Sequence, residues 1–336
     1  MIEKAGYHNG KPVILSGVQP TGRLHLGNYE GALRNWVGLQ EKYKMYLCVV
    51  DWHSLTSDFD DTSGMQERIL ETTVDFLASG LEPEKCSVFV QSDVKEHAEL
   101  HLLFSMMTPT SWLERVPSYK EKTETLGLDN YGFLGYPLLQ AADILLYKAL
   151  AVPVGKDQLP HIELTREVAR RFNNLYRDVF PEPEALLSHF PAIPGIDGRK
   201  MSKSYNNDIK LSDSPDETAA KIKKMMTDPQ KIYKGDPGRP EICPVFALHE
   251  VYSVKEKDEL SEKCKSGALG CVDCKKILAA NLNLALEPLR KRRKELEKDT
   301  AYVLKTLDKG AGEARERAGA TMGDVRSAMH LTRMRV

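Results

Sequence analysis

Two short segments carry most of the chemistry that this chain could do. Pro20-Thr21-Gly22-Arg23-Leu24-His25-Leu26-Gly27-Asn28 lies between an apolar run (Val13 to Leu15) and a stretch with helical periodicity (Tyr29 to Lys42). A phosphate-binding turn needs that setting. Gly27 lets the backbone approach a ligand, His25 and Asn28 offer donors, and the N-terminus of the following helix favours an anion. Lys200-Met201-Ser202-Lys203-Ser204 places two lysines and two hydroxyls on a loop after the glycine-rich run Pro194 to Gly198. A loop of that kind is suited to closing over a polyphosphate and neutralising charge as it develops. A third group, Tyr136, Gln140 and Asp143, is spaced by four and three residues and so shares one face of a helix. Its neighbours are apolar, and a carboxylate among them needs a donor partner; a substrate hydroxyl or an indole N–H would serve.

The elements that must position these groups alternate in period. Short β-rich runs at Pro12 to Ser16, Met45 to Val50, Ser87 to Gln91 and Val152 to Gly155 are separated by amphipathic helical patterns. Those patterns run from Tyr29 to Lys42, Met65 to Ser79, Leu138 to Leu150 and Leu159 to Phe172. The alternation predicts an α/β chain with a Rossmann-like parallel sheet and helices on both faces. Ligands then bind beyond the carboxyl ends of the strands, where the turns Gly17 to Asn28 and Gly155-Lys156-Asp157-Gln158 both fall. After Leu211 charged helical sequence dominates. Ser214 reads as an N-cap with Pro215 at the first helical position. We therefore expect a catalytic domain over 1–205 and a helical domain over 206–336.

Composition narrows the partners. No apolar run in the 336 residues approaches a membrane span, and Met1-Ile2-Glu3-Lys4 lacks a secretory pattern, so the cytoplasm is the expected compartment. A net charge of −1 gives no general field for nucleic acid; a DNA partner is not expected, and any RNA surface must be local. Arg290-Lys291-Arg292-Arg293-Lys294 is a candidate for that surface, with a solvated helix face as the equal alternative. Of the six cysteines, Cys48 and Cys86 sit in apolar runs as buried thiols. Cys243, Cys264, Cys271 and Cys274 cluster near the C-terminus, which in a reducing compartment argues for metal over disulfides. Four thiolates suit either zinc or a [4Fe–4S] cluster.

The first two segments, in this order, resemble the HIGH and KMSKS motifs of class I aminoacyl-tRNA synthetases. The segment from Tyr136 to Leu145 resembles the substrate helix shared by the tyrosyl and tryptophanyl families, in which the aspartate reads the polar tip of the amino acid. Gly27-Asn28-Tyr29-Glu30-Gly31-Ala32 and the string Asp157 to Arg166 are similar to the tryptophanyl family specifically. Tyrosyl enzymes usually carry histidine at the position of Asn28 and a tyrosine at that of Leu15. An apolar Leu15 packs on an indole but leaves a phenol one partner short, a loss of about 1–3 kcal/mol.

The resemblance implies a tryptophan–tRNA ligase that uses ATP with Mg2+, acting on L-tryptophan and tRNA(Trp) as a homodimer. It implies ATP contacts at Gln19, Pro20, Thr21, Gly27, Asn28, Gly155, Lys156, Asp157, Ile193, Lys200, Met201, Ser202, Lys203 and Ser204. Tryptophan contacts are implied at Leu15, Tyr136, Gln140, Asp143 and Gln158, with Lys122 beside them, and His25, Asn28, Lys200 and Lys203 as the catalytic groups. Some tryptophanyl enzymes carry methionine where this chain has Gln140. A subset of bacterial tryptophanyl enzymes has a similar cysteine string holding a [4Fe–4S] cluster, which ranks iron–sulfur at Cys243, Cys264, Cys271 and Cys274 ahead of zinc. His53 is as readily a structural histidine as a functional one. The rival readings are tyrosyl specificity, a small-molecule nucleotidyltransferase and a non-catalytic tRNA-binding paralogue.

Overall fold

The computed structural model describes residues 5–127, 130–187 and 193–332, without the side chains of residues 122 and 124–126. A short β1 (Tyr7–His8) pairs antiparallel with β2 (Lys11–Val18). β2, β3 (Lys44–Val49), β4 (Cys86–Val90), β5 (Ala151–Val154) and β6 (Glu184–Leu187) form a parallel sheet in the order β4-β3-β2-β5-β6. The order reverses between β2 and β5, and there the crevice at the carboxyl ends opens.

Both faces of the sheet are covered, because successive strand residues point to opposite sides. Met45, Leu47 and Val49 of β3 join one buried cluster, with Trp36, Phe76, and Leu278 to Leu289 of the C-terminal region. Tyr46 and Cys48 join the other, with Phe104, Leu138, Phe172 and residues of the last helix. Cys48 and Cys86 are buried thiols, as the apolar runs around them predict.

The expected strands recur within a residue or two. The expected helix from Tyr29 begins as a π-helical turn over Tyr29–Leu33 and continues as α-helix over Arg34–Leu39. The one expected over 138–150 instead occupies Tyr131–Leu146. Asn130 caps its start by accepting from the Phe133 N–H (2.8 Å), and the chain turns after Leu146, with Lys148 at φ 49°, to feed β5. Helices Glu96–Ser105, Thr110–Glu114 and Pro117–Leu126, and strand β6, lie beyond what the periodicity singled out.

Beyond the sheet the chain is helical. Ser214 caps helix Pro215–Lys224 through a reciprocal pair of bonds with Glu217 (3.2 and 2.8 Å). Helices Pro244–Tyr252, Lys257–Lys265 and Cys271–Lys298 follow. The last helix, Thr300–Ala328, returns to the sheet and covers edge strand β4, which would otherwise expose unpaired backbone. The approach is close enough that a Cβ on Gly310 would lie 1.9 Å from the Val88 carbonyl oxygen, so only glycine fits. Lys44 and Ser87 anchor this helix through Glu313. Among the described residues no helix is long and apolar enough to cross a membrane.

Candidate active site

A cavity of about 790 Å³ opens at the carboxyl ends of β2 and β5. Leu15, Gly17 and Gln19 line it from β2 and its end, Gly155, Asp157 and Gln158 from the turn after β5, and Tyr136, Gln140 and Asp143 from helix Tyr131–Leu146. That helix is buried over most of its circumference by Phe133, Leu138, Ala141, Ala142, Leu145 and Leu146. Its three polar residues therefore all point into the cavity, as their spacing predicts. The Tyr136 hydroxyl lies 2.6 Å from Ser118 Oγ and 3.3 Å from His161 Nε2. Lys122, expected nearby, has its side chain outside the described residues.

Asp143 is 3 % exposed and meets three donors. His97 Nδ1 lies 2.7 Å from Oδ1, His53 Nε2 lies 2.9 Å from Oδ2, and Gln91 Nε2 lies 2.9 Å from both oxygens. Burial pushes this carboxyl up, but His97 and His53 together outweigh it and hold the group well below the usual carboxylate range. His53 reaches the carboxylate from the helix after β3 and lines the cavity. Sequence reasoning missed Gln91 and His97. The available signal was the need of a buried aspartate for donors, and the end of β4 and the helix after it were the places to seek them.

The side of the cleft formed by the first two segments is built differently. His25 Nδ1 accepts from the Asn28 N–H (3.3 Å), and Asn28 Oδ1 accepts from the His25 N–H (3.1 Å), so the two residues cap their own turn. His25 is buried, which with the nearby Lys203 charge pushes its pKa down to about 4. The ring is neutral with Nδ1 accepting, so its Nε2–H is the donor available to a phosphate. Lys203 reaches across from the second segment and donates to the Thr21 carbonyl (2.8 Å) and hydroxyl (3.0 Å). Burial pushes its pKa down to about 8. Met201 is buried near Gly27, its N–H bonds to the Ile193 carbonyl (3.2 Å), and the Ser202 N–H bonds to Asn207 Oδ1 (2.8 Å). Pro20 is buried, whereas Lys156, Lys200 and Ser204 are exposed. The structure thus brings the two segments together through Lys203 and Met201, and leaves Lys156, Lys200 and Ser204 at the solvent edge.

Behind the first segment, Asp75 accepts from the Leu24 N–H (2.7 Å) and pairs with Arg293 of helix Cys271–Lys298. Arg293 also pairs with Glu71, and Tyr252 of the helical region donates to Glu30 (2.7 Å). The turn is therefore fastened to both parts of the molecule.

A profile of the family described as "tRNA synthetases class I (W and Y)" matches residues 7–287. The chain belongs to this family. The tryptophan–tRNA ligase of Thermotoga maritima is 52% identical, over 95% of this chain and 99% of its own length. That of Aquifex aeolicus is 45% identical over 95% and 99%. A crystal structure of tryptophanyl-tRNA synthetase from Campylobacter jejuni complexed with ADP and tryptophane matches with a TM-score of 0.85 at 35% identity, covering 95% of this chain and 99% of that one. A tyrosyl-tRNA synthetase from Archaeoglobus fulgidus shares the fold at 24% identity and a TM-score of 0.67. The parallel sheet with its helical C-terminal region is the class I synthetase fold.

In this synthetase Cys243, Cys264, Cys271 and Cys274 all face one small cavity, beside Lys231 and Phe246. A Cβ on Gly238 would stand 2.5 Å from Cys264 Sγ, so the wall there requires glycine. Among the described residues no three His, Cys, Asp or Glu side chains are gathered tightly enough for a single ion. The basic run divides: Arg290 is buried against Thr218 and Asn283, Arg293 is buried in its ion pairs, and Arg292 pairs with Glu295. Lys291 and Lys294 are exposed. The helix thus turns two members of the run into the core and leaves only some of them on an exposed face.

Proposed function

We propose that the cavity binds L-tryptophan, with Asp143 accepting from the indole N–H, Leu15 packing on the ring, and Tyr136, Gln140 and Gln158 holding the amino acid end. The chain is a tryptophan–tRNA ligase: tryptophan and ATP give tryptophanyl-adenylate and pyrophosphate, and the acyl group then passes to the terminal ribose of tRNA(Trp). The observation that carries the side-chain reading is the buried, ionised Asp143 beside an apolar Leu15 in one cavity.

Activation needs in-line attack of the amino acid carboxylate on the α-phosphate, with cations on the departing pyrophosphate. ATP, as its magnesium complex, would lie over Gln19, Pro20, Thr21, Gly27 and Asn28, between the Gly155-Lys156-Asp157 turn and the loop from Ile193 to Ser204. His25 donates from Nε2 to a phosphate oxygen, Asn28 donates from its amide, and Lys200 and Lys203 carry the positive charge. Residues 1–205 act as the catalytic part and 206–336 as the anticodon-binding part of a cytoplasmic homodimer.

The four C-terminal cysteines, Cys243, Cys264, Cys271 and Cys274, would be the residues to hold a [4Fe–4S] cluster. All four thiols face one cavity and would together hold a metal centre, and the resemblance ranks a [4Fe–4S] cluster there ahead of zinc. Bound there, it would supply a fixed four-point cross-link between the loops and helices that carry the cysteines. A brown preparation with broad absorbance near about 400 nm supports it; a colourless anaerobic preparation with one zinc per chain overturns it.

Pyrophosphate–ATP exchange across the twenty amino acids tests the whole reading. Exchange with tryptophan alone is expected. Exchange with tyrosine instead would overturn the roles of Leu15 and Asn28, and no exchange at all would overturn the activation chemistry.

A further inference from the structure

His53, Gln91 and His97 arrive at Asp143 from three different elements, and the His97 ring has a second buried partner. Its Nε2 lies 2.9 Å from the Tyr147 hydroxyl, and both side chains are fully buried. An ionised carboxylate only accepts, so His97 Nδ1 carries a proton and donates it to Asp143. The other ring nitrogen, Nε2, shares its hydrogen bond with the Tyr147 hydroxyl, so the ring is held at both nitrogens. Tyr147 in turn is stacked on Tyr46 of β3, with ring centres 4.6 Å apart. The chain of contacts thus runs from a strand of the central sheet, through two buried rings, to one carboxylate oxygen.

Two carboxylate oxygens offer about four acceptor directions. His97 holds Oδ1, His53 holds Oδ2 and the Gln91 amide straddles both, while the carboxylate still lines the cavity, so an incoming ring N–H would share an oxygen with the Gln91 amide. We propose that His97, braced by Tyr147, is a positioning residue that fixes the orientation and charge of Asp143, so that the side of the carboxylate facing the cavity reads a ring N–H. The inference deepens the assignment of Asp143 given above and rests on it. A buried aspartate without such donors would protonate or turn. A protonated carboxyl presents an O–H, and the site would lose its preference for a donor at the tip of the substrate.

The test is amino-acid-dependent pyrophosphate–ATP exchange with two substrates, L-tryptophan and β-(3-benzothienyl)-L-alanine, in which sulfur replaces the indole N–H. The native enzyme should prefer tryptophan by about tenfold or more in kcat/KM, the scale of one buried hydrogen bond. His97→Leu should bring that ratio toward one while the KM for ATP stays unchanged. His97→Asn, which keeps a donor near the Nδ1 position, should restore most of it. A loss by His97→Leu that is equal for both substrates, with the ratio retained, means a structural role only and overturns the proposal. If His97→Leu does not fold, Tyr147→Phe removes only the bracing hydroxyl; a ratio lowered about threefold supports the inference and an unchanged ratio overturns it. A native enzyme that does not distinguish the two substrates overturns the reading of Asp143 itself, and that failure is visible before any variant is made.

Discussion

At the amino acid end of the cleft, Asp143 is enclosed, faces three donors and is held ionised by two histidines. At the nucleotide end, Lys156, Lys200 and Ser204 lie open to solvent, and the Lys203 ammonium rests on Thr21. The comparison teaches where each end gets its selectivity. A side chain that differs by one N–H must be read by a group that cannot move or change charge, since a misplaced acceptor discriminates nothing. A polyphosphate offers many equivalent oxygens. It is better met by cations on a loop that settles only when the ligand arrives, which spares the resting enzyme an enclosed cluster of like charges.

The largest effect expected from this contrast is at Asp143. Asp143→Ala should lower tryptophan-dependent exchange by about 10³-fold, because it removes the acceptor and leaves buried donors unpaired. ATP affinity, measured by the KM for ATP, should stay within about twofold, since Asp143 does not reach the nucleotide residues. Equal losses for both substrates would mean that the two ends are not separable.

Lys203 probes the other end through pH. Burial lowers its pKa to about 8, and the useful form is the cation. As pH rises through 8 the charge is lost, so kcat/KM for ATP should fall by about tenfold per pH unit on the alkaline side. Lys203→Arg keeps its charge to above about pH 12 and should abolish that limb. Rates across pH 7 to 10 decide it; a limb that persists in the arginine variant belongs to another group.

Legibility in the sequence divides along the same line. The segments around His25 and Lys203 are contiguous, so local spacing with flanking periodicity suffices to find them and to place them at strand ends. The Tyr136, Gln140 and Asp143 face is equally local. Gln91 and His97 lie some fifty residues from Asp143 in sequence and meet it because helix Glu96–Ser105, after β4, packs against helix Tyr131–Leu146. No period records that meeting. The basic run is the converse case: successive helical residues point about 100° apart, so the spacing says that only some share a face, but not that Arg290 and Arg293 are the ones turned inward. The return of the last helix to β4 is also non-local, though Gly310 and the alanines after it mark a helix face built for close packing.

A smaller effect is expected from Asp75, which ties the first segment to the helical region. Asp75→Asn keeps the shape but weakens the bonds to Arg293 and to the Leu24 N–H. The turn that follows should then be less well held, raising the KM for ATP about tenfold while the KM for tryptophan is unchanged. Steady-state exchange with each substrate varied in turn separates the two constants. A rise in the tryptophan constant instead would show that the ion pair supports the whole cleft.

The smallest effect belongs to Lys291 and Lys294, the members of the basic run left exposed. Arg290 and Arg293 are committed to protein partners, and replacing either would disturb the core, which makes them poor probes of RNA contact. Lys291→Ala with Lys294→Ala should leave exchange in the absence of tRNA unchanged and weaken tRNA(Trp) binding about threefold at moderate salt. If both lysines touch phosphates, the slope of log affinity against log salt should fall by about 1 for each. Filter binding over a salt series measures this directly. An unchanged slope would assign both lysines to the solvated face of the helix, and tRNA would then have to be met elsewhere on the helical region.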